Sequence, residues 1–385
     1  MSNLTQNDEN RDKTNMDLYK SYIRISKYSR WDYEKNRRET WSETVSRYCN
    51  FVKENLKNKR NYNLPDDTYQ EIYNAIYNQE VMPSMRALST AGPALDADNI
   101  SSYNCAYCII NRKEAFSEML YILMCGTGMG YSVERQYINQ LPTIPEILTD
   151  IDTTLIVEDS KQGWAESFKS LIEHLYDGQI CKWDVSKVRP KGAPLKTFGG
   201  RASGPSYLVN LFNFTVSTFK KACGRKLESI ECHDLCCVIA DTVVSGGVRR
   251  SALLSLSNLS DLRMRNAKSG DWWKTHPYRA FANNSIAYTE KPDIGIFMEE
   301  WLSLYNSKSG ERGLYFRGAA QDSIKRMGRR NPNHDFGTNP CVSKDTWIAT
   351  NKGHFQIKDL INRSDFKIIV NGKPYALESN GFFKT

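Results

Sequence analysis

Apolar residues recur with a helical period through most of the first half of the chain. Between Asn36 and Lys59 they fall at Trp41, Val45, Tyr48, Val52 and Leu56, and between Asp67 and Gln79 at Tyr69, Ile72, Tyr73 and Ile76. Spacings of three and four residues place each set on one helix face, so both segments are predicted helices. A third helix is predicted over Lys113 to Cys125, with Phe116, Met119, Leu120 and Leu123 inward. It runs into Gly126-Thr-Gly128-Met-Gly130, read as a glycine turn before a strand-like Tyr131-Ser-Val133. Ser160 is placed to cap a helix with Trp164, Phe168, Leu171, Ile172 and Leu175 on its inner face and Gly178 as its C-terminal stop. Two more apolar helices are predicted near 207–222 and 230–244, then short strands at 251–256, 285–288 and 313–316. Helices alternating with strands predict an α/β fold. From Cys341 the pattern changes to β-type alternation broken by Asn-Gly and Gly-Lys-Pro turns, which predicts a small all-β region and a domain boundary at 341. The polar, aperiodic residues 1–14 are expected to be disordered.

A length of 385 residues fits two or three domains, and 40% hydrophobic with 25% charged residues excludes a disordered or collagen-like chain. No apolar run approaches the roughly 18 residues of a membrane helix, and the start lacks a signal peptide, so a cytoplasmic protein without membrane partners is expected. The net charge of +8 is scattered along the chain, which favours attraction for phosphates over a specific nucleic-acid surface.

Without an export signal the ten cysteines are expected to stay reduced. Cys105 and Cys108 form a Cys-x-x-Cys pair, the spacing of half a zinc site or of a dithiol couple. Cys232, His233, Cys236 and Cys237 fall in a run of helical period and read better as buried thiols than as metal ligands, and Cys49, Cys125, Cys181 and Cys223 also read as core; no metal site is expected. Gly126-x-Gly128-x-Gly130 follows a helix and precedes a strand, the reverse of a dinucleotide fingerprint. Gly246-Gly247-Val-Arg249-Arg250 suits either a mobile loop that touches a phosphate or a base or a solvated turn, and the cationic stretch from Arg189 to Pro205 suits anion binding.

Taken in order, Met82-Pro-Ser-Met-Arg-Ala-Leu, Asn104-Cys105, Gly126-Thr-Gly-Met-Gly130, Phe198-Gly-Gly-Arg-Ala-Ser-Gly-Pro205, Gly246-Gly-Val-Arg-Arg-Ser-Ala252, Asn283-Asn-Ser285 and Gly337-Thr-Asn-Pro-Cys341 resemble the adenosylcobalamin-dependent ribonucleoside-triphosphate reductases. The resemblance covers about residues 20 to 341. It implies a monomeric enzyme built as a ten-stranded α/β barrel with a thiyl-bearing finger loop inside. A helical N-terminal region and the start of the barrel would span 15–112, the first half of the barrel 113–340, and an effector-binding insertion about 150–245. In that family the cobalt–carbon bond of adenosylcobalamin generates a cysteine thiyl, which takes a hydrogen from the ribose so that the 2′-hydroxyl can leave. Two further thiols supply the electrons and close to a disulfide, later reopened by thioredoxin or a similar dithiol.

By that resemblance Cys105 is the first of the reducing pair and Cys108 a packing residue. Ser84, Asn104, Gly128 and Gly130 would lie along the ribose and phosphates of a ribonucleoside triphosphate, and Asn339 would hydrogen-bond the substrate. Asp159, Ser160 and Lys191 would belong to the site for deoxynucleotide effectors, and Gly246, Gly247, Arg249 and Arg250 to the loop that reports effector identity. The chain departs from the family after Cys341, where Val-Ser-Lys-Asp-Thr-Trp-Ile-Ala replaces the expected Gly-Glu and its general base. Residues 341–385 resemble the first block of an intein, whose N-terminal cysteine attacks the preceding carbonyl, here that of Pro340. Cys341 would then be the splice nucleophile, the finished enzyme would need a C-terminal reductase and intein fragment as partner, and this chain alone would not reduce nucleotides. The other readings are a diphosphate-specific reductase and a catalytically dead, nucleotide-sensing homologue.

Overall fold

The computed structural model describes residues 18–32, 34–193, 202–245, 253–307, 310–328, 330–338, 347–356, 360, 366–370 and 373–376. The chain divides into two compact units, one made of Met1–Asn104, Cys125–Thr127 and Pro190–Ala202, the other of Cys105–Met124, Gly128–Arg189 and Ser203–Thr385.

The first unit is helical, as its periodicity predicts. Helix α1 is Trp41–Arg60 and α2 is Asp66–Tyr77. Helix α1 starts five residues later than expected because Thr40 and Glu43 form a reciprocal capping box, each side chain accepting from the other's backbone N–H. Residues Arg37–Arg38 pair instead with Trp31–Asp32 as a short antiparallel ribbon. Trp41, Val45 and Cys49 of α1 pack with Ile76 of α2 and with Leu88, each large side chain contributing about 1.5–3 kcal/mol by burial. Tyr69, Tyr73 and Tyr77 stack one turn apart down α2, at 6.5 and 5.9 Å between ring centroids. Arg47 ties this pair to the short helix Met85–Thr90, bonding Glu39 while donating to the carbonyls of Leu88 and Ala91.

The second unit is built on parallel strands. In chain order it has β1 Cys105–Ile109, α3 Glu114–Met124, β2 Gly128–Ser132, β3 Thr149–Ile156, α4 Lys161–Tyr176, β4 Gln179–Asp184, α5 Ser206–Lys221, α6 Ser229–Ser245, β5 Leu253–Ser257, β6 Ala282–Tyr288, α7 Ile294–Ser307, β7 Gly313–Phe316 and α8 Arg317–Met327. Strands β1, β2, β5, β6 and β7 form one parallel sheet whose spatial order is their chain order. Each new strand is therefore added at the same edge, unlike a doubly wound sheet, where the order reverses at a switch point. The insertion between β2 and β5 holds α4, α5, α6 and the separate parallel pair β3 and β4. Helices α3, α4, α5 and α6 enclose the main core, where Phe168 stacks on Phe212 and Trp183 meets Phe212 edge-on. Helix α4 opens and closes as its sequence predicts, with Ser160 as cap and Gly178 at a φ of +78° just past its end.

Strands β8 Trp347–Thr350, β9 Gly353–Gln356, β10 Lys367–Val370 and β11 Lys373–Ala376 form an antiparallel sheet in the order β9-β8-β10-β11. The change from parallel to antiparallel pairing follows the change of sequence pattern. The division by internal contacts keeps this region with the second unit. Among the described residues no helix is long and apolar enough to cross a membrane.

Candidate active site

Strand register fixes which side chains share a face. Ala106 and Cys108 of β1, and Met129 and Tyr131 of β2, pack against the helical core. Alternation then puts Cys105 and Tyr107, with their register partners Gly128 and Gly130, on the opposite, open face. The open face continues through Leu254, in register with Gly130, to Asn283. Beside Cys105 the neighbouring strand presents two glycines, so a thiol faces bare backbone where another group can approach closely.

The same alternation separates Cys105 from Cys108. Three residues apart on one strand, they point to opposite faces and cannot act as a dithiol couple or as half of one zinc site. Burial among apolar groups pushes the Cys108 thiol up to about 12, so it stays protonated and packs as a small hydrophobe. Cys232, Cys236 and Cys237 are likewise buried on α6, their thiols raised by desolvation. His233 among them is held neutral, its imidazole pushed down to about 3 by burial, and bonds the Tyr131 hydroxyl at 2.6 Å. Among the described residues no group of three histidines, cysteines or carboxylates is placed to hold a metal ion. Cys49, Cys125 and Cys181 are buried, while Cys223 is only half-buried.

One expectation needs correction. Gly128 and Gly130 are not in a turn; they lie within β2, which begins three residues earlier than predicted. The turn is at Gly126, where φ is +79° and the space a Cβ would take lies 3.0 Å from the Arg86 guanidinium. Arg86 also donates to the Cys125 carbonyl at 2.8 Å.

Ser84 and Asn104 belong to the first unit and both are exposed. The Ser84 hydroxyl caps the helix Met85–Thr90, accepting from the N–H of Ala87. In the insertion, Ser160 caps α4 by accepting from the N–H of Gly163, and Asp159 bonds the Arg189 Nε at 2.7 Å. These two residues open a sixteen-residue helix with a cation beside its first turn. Lys191 is exposed. Gly246, Gly247, Arg249, Arg250, Asn339 and Cys341 lie outside the described residues, as does most of the cationic loop at 194–201.

The sequence reading passed over the buried pair of Glu134 and Arg317, just past the C-terminal ends of β2 and β7. Arg317 grips both oxygens of Glu134, at 3.1 and 2.6 Å, and donates its Nε to the carbonyl of Phe336 at 2.8 Å. Burial alone would lower the Arg317 guanidinium's pKa; the bonds to Glu134 outweigh it and raise it. Only long-range register brings residues 183 positions apart together, so no local spacing announces the pair.

A parallel α/β sheet with a helical insertion after its second strand agrees with the class of protein, ribonucleotide reductase, that the sequence resembles. Comparison with known proteins narrows that class. Residues 139–217 match the family described as "B12-dependent ribonucleotide reductase, insertion domain", and residues 6–93 the "Ribonucleotide reductase alpha domain". The adenosylcobalamin-dependent ribonucleoside-triphosphate reductase of Lactobacillus helveticus is 29% identical over 339 residues, which span 69% of this chain and 44% of that protein. The enzyme of the same name from Levilactobacillus brevis is 26% identical over 395 residues, 82% of this chain and 50% of that protein. In fold, the chain is similar to a crystal structure of B12-dependent, class II ribonucleotide reductase, with a TM-score of 0.62 at 21% identity, covering 92% of this chain and 54% of that one. The chain thus resembles the N-terminal region of the B12-dependent reductases and spans about half the length of the curated relatives it matches.

Proposed function

We propose that this chain supplies the N-terminal half of an adenosylcobalamin-dependent reductase that converts ribonucleoside triphosphates to deoxyribonucleoside triphosphates. The observation that carries the reading is the place of Cys105, on the open face of a sheet wound in chain order and in register with Gly128. Five strands added at one edge are half of a ten-stranded barrel, and the open face is then the barrel's interior. Cys105 and a second thiol would close to a disulfide, passing two electrons and two protons to the ribose carbon and to the hydroxyl that leaves as water. Gly128 and Gly130 would leave room for the ribose beside that thiol, and the insertion would take a deoxynucleotide effector.

The cofactor is assigned from the relatives' dependence on it. A shallow groove of about 460 Å³ runs along α5 past Asn213, Ser217 and Lys220. One helix face does not enclose a corrin, so this groove does not fit the cofactor.

The tail from Cys341 is proposed as the N-terminal fragment of an intein, supported by its sequence pattern and by the antiparallel strands that begin at Trp347. Cys341 would attack the Pro340 carbonyl, breaking the amide and forming a thioester. Intact mass after mixing with a C-terminal half that carries the rest of intein and reductase tests both proposals. A product joined after Pro340 without residues 341–385 is expected. With adenosylcobalamin and a dithiol, that product is expected to make deoxynucleotides, to lose this on Cys105→Ser and to keep it on Cys108→Ser. No joined product and no thioester trapped by added thiol would remove the intein reading; a joined product active with Cys105→Ser would remove the assignment of Cys105.

A further inference from the structure

Arg317 ties three pieces of the second unit together. It opens α8 directly after β7, reaches Glu134 just beyond β2, and holds the carbonyl of Phe336 in the segment that follows α8. Glu134 is completely satisfied: besides the two guanidinium bonds, Ser132 Oγ donates to Oε2 at 2.7 Å and Gln136 Nε2 to Oε1 at 2.9 Å. The segment beyond is held at three more points. The Tyr137 hydroxyl donates to Asp335 at 2.7 Å, Gln321 Nε2 donates to the His334 carbonyl at 3.3 Å, and Gly337 lies on the ring of Tyr107. That last contact is so close that a Cβ on residue 337 would sit 1.9 Å from the ring. Tyr107 is on the open face, two residues from Cys105, so residues 335–337 are laid along the face that bears the thiol.

Stability alone does not account for such a pair. A buried ion pair costs so much desolvation that apolar residues of similar volume often serve as well or better. What an apolar pair cannot do is fix direction: a bidentate grip with a third donor pointing at one carbonyl determines where that carbonyl sits. The hydroxyls of Tyr107 and Tyr315 are buried and both feel the charges of the pair.

We propose that Glu134 and Arg317 are positioning residues: they fix where residues 335–337 cross the Cys105-bearing face, and thereby the point from which the chain goes on to Asn339 and Cys341. The proposal rests on the reductase reading for its purpose, but its physical content is testable without it.

The test is hydrogen exchange on the full chain, comparing Arg317→Met, Arg317→Lys and Glu134→Gln with the parent. Peptides covering 333–338 are expected to exchange at least about tenfold faster in Arg317→Met and Glu134→Gln, with Arg317→Lys between, while peptides of α6 are unchanged. A change below about twofold at 333–338, or a rise matched in α6, would overturn the proposal, because the pair would then be either idle or a general support. If Arg317→Met fails to fold, Arg317→Lys and Glu134→Gln, which keep side chains of similar length, carry the same comparison. No loosening at 333–338 in either of them overturns the proposal equally. In the joined enzyme, Arg317→Lys should lower kcat about tenfold at unchanged KM. Normal turnover there with unchanged exchange removes the positioning role alone, whereas no turnover in the parent with the expected exchange pattern removes the reductase reading and leaves the positioning role.

Discussion

The separation of Cys105 from Cys108 can be tested by alkylation, with a magnitude that follows from burial. Thiolate, not thiol, reacts with iodoacetamide, so the rate carries the ionised fraction as a factor. A thiol near the ordinary value of about 8.5 is roughly a quarter ionised at pH 8. Cys108, pushed up to about 12 by desolvation, is ionised to about one part in ten thousand. Against such an unperturbed reference thiol, Cys108 is slowed on the order of a thousandfold before access is counted, and access acts in the same direction, since Cys108 packs toward the helical core. A time course at pH 8 followed by peptide mass spectrometry should therefore show Cys105 modified while Cys108 stays intact, and mild oxidation should leave no bond between them. Comparable rates at the two positions, or a Cys105–Cys108 disulfide formed without unfolding, would refute the strand assignment. Cys108 would then share the face proposed for Cys105 alone.

Three further outcomes follow from particular contacts. Glu300 is buried between Arg312 and Arg265, which bond it at 2.7 and 2.8 Å, so Glu300→Gln should cost about 3–5 kcal/mol in urea unfolding. Burial would raise the Glu300 pKa, but the two guanidinium groups outweigh it and hold the carboxyl below its usual range. Its stabilisation is thus full above the ordinary carboxylate value and lost as pH falls through the lowered one; a parent–variant difference that stays constant from pH 7 to 3 would contradict this. Gly126→Ala should destabilise by about 1–2 kcal/mol, read as a lower melting temperature, and Arg86→Ala should not rescue it because the positive φ remains. Ile294, Met298 and Leu302 form an exposed apolar row on α7, so Met298→Lys with Leu302→Lys should leave stability within about 0.5 kcal/mol while lowering dye binding and self-association in light scattering.

Helices with a strong apolar period were readable in the sequence because they bury one stripe each: α1, α2, α3, α4, α5 and α6 all fall where spacing places them. Helix α7 was not, and the reason is physical. Ile294, Met298, Trp301, Leu302 and Tyr305 are all exposed, so its apolar residues do not mark an inner face. Strand β1 was hidden by its own cysteines, since Cys-x-x-Cys invites a reading as a ligand pair. The alternation of Cys105 and Tyr107 against Ala106 and Cys108 has meaning only once the strand is paired. Strands β3 and β4 pair with each other and lie outside the main sheet, with mostly exposed or half-buried side chains that give no clear alternation.

The site shows the same limit more sharply. Cys105, Gly128 and Gly130 were singled out by likeness to a family; what brings them side by side is register, which sets a thiol beside two bare backbone positions on the face turned away from the helices. Glu134 and Arg317 carry no motif at all, and their partnership depends on β2 and β7 having been brought into one sheet by the strands between them. Local pattern can name a nucleophile, because nucleophiles are rare residue types; it cannot name the groups that aim a neighbouring segment, because those are ordinary charges made specific by long-range pairing. Glu134 and Arg317 meet only because β2 and β7 stand in one sheet, so the hold on the Phe336 carbonyl is a property of the whole sheet and of neither local segment.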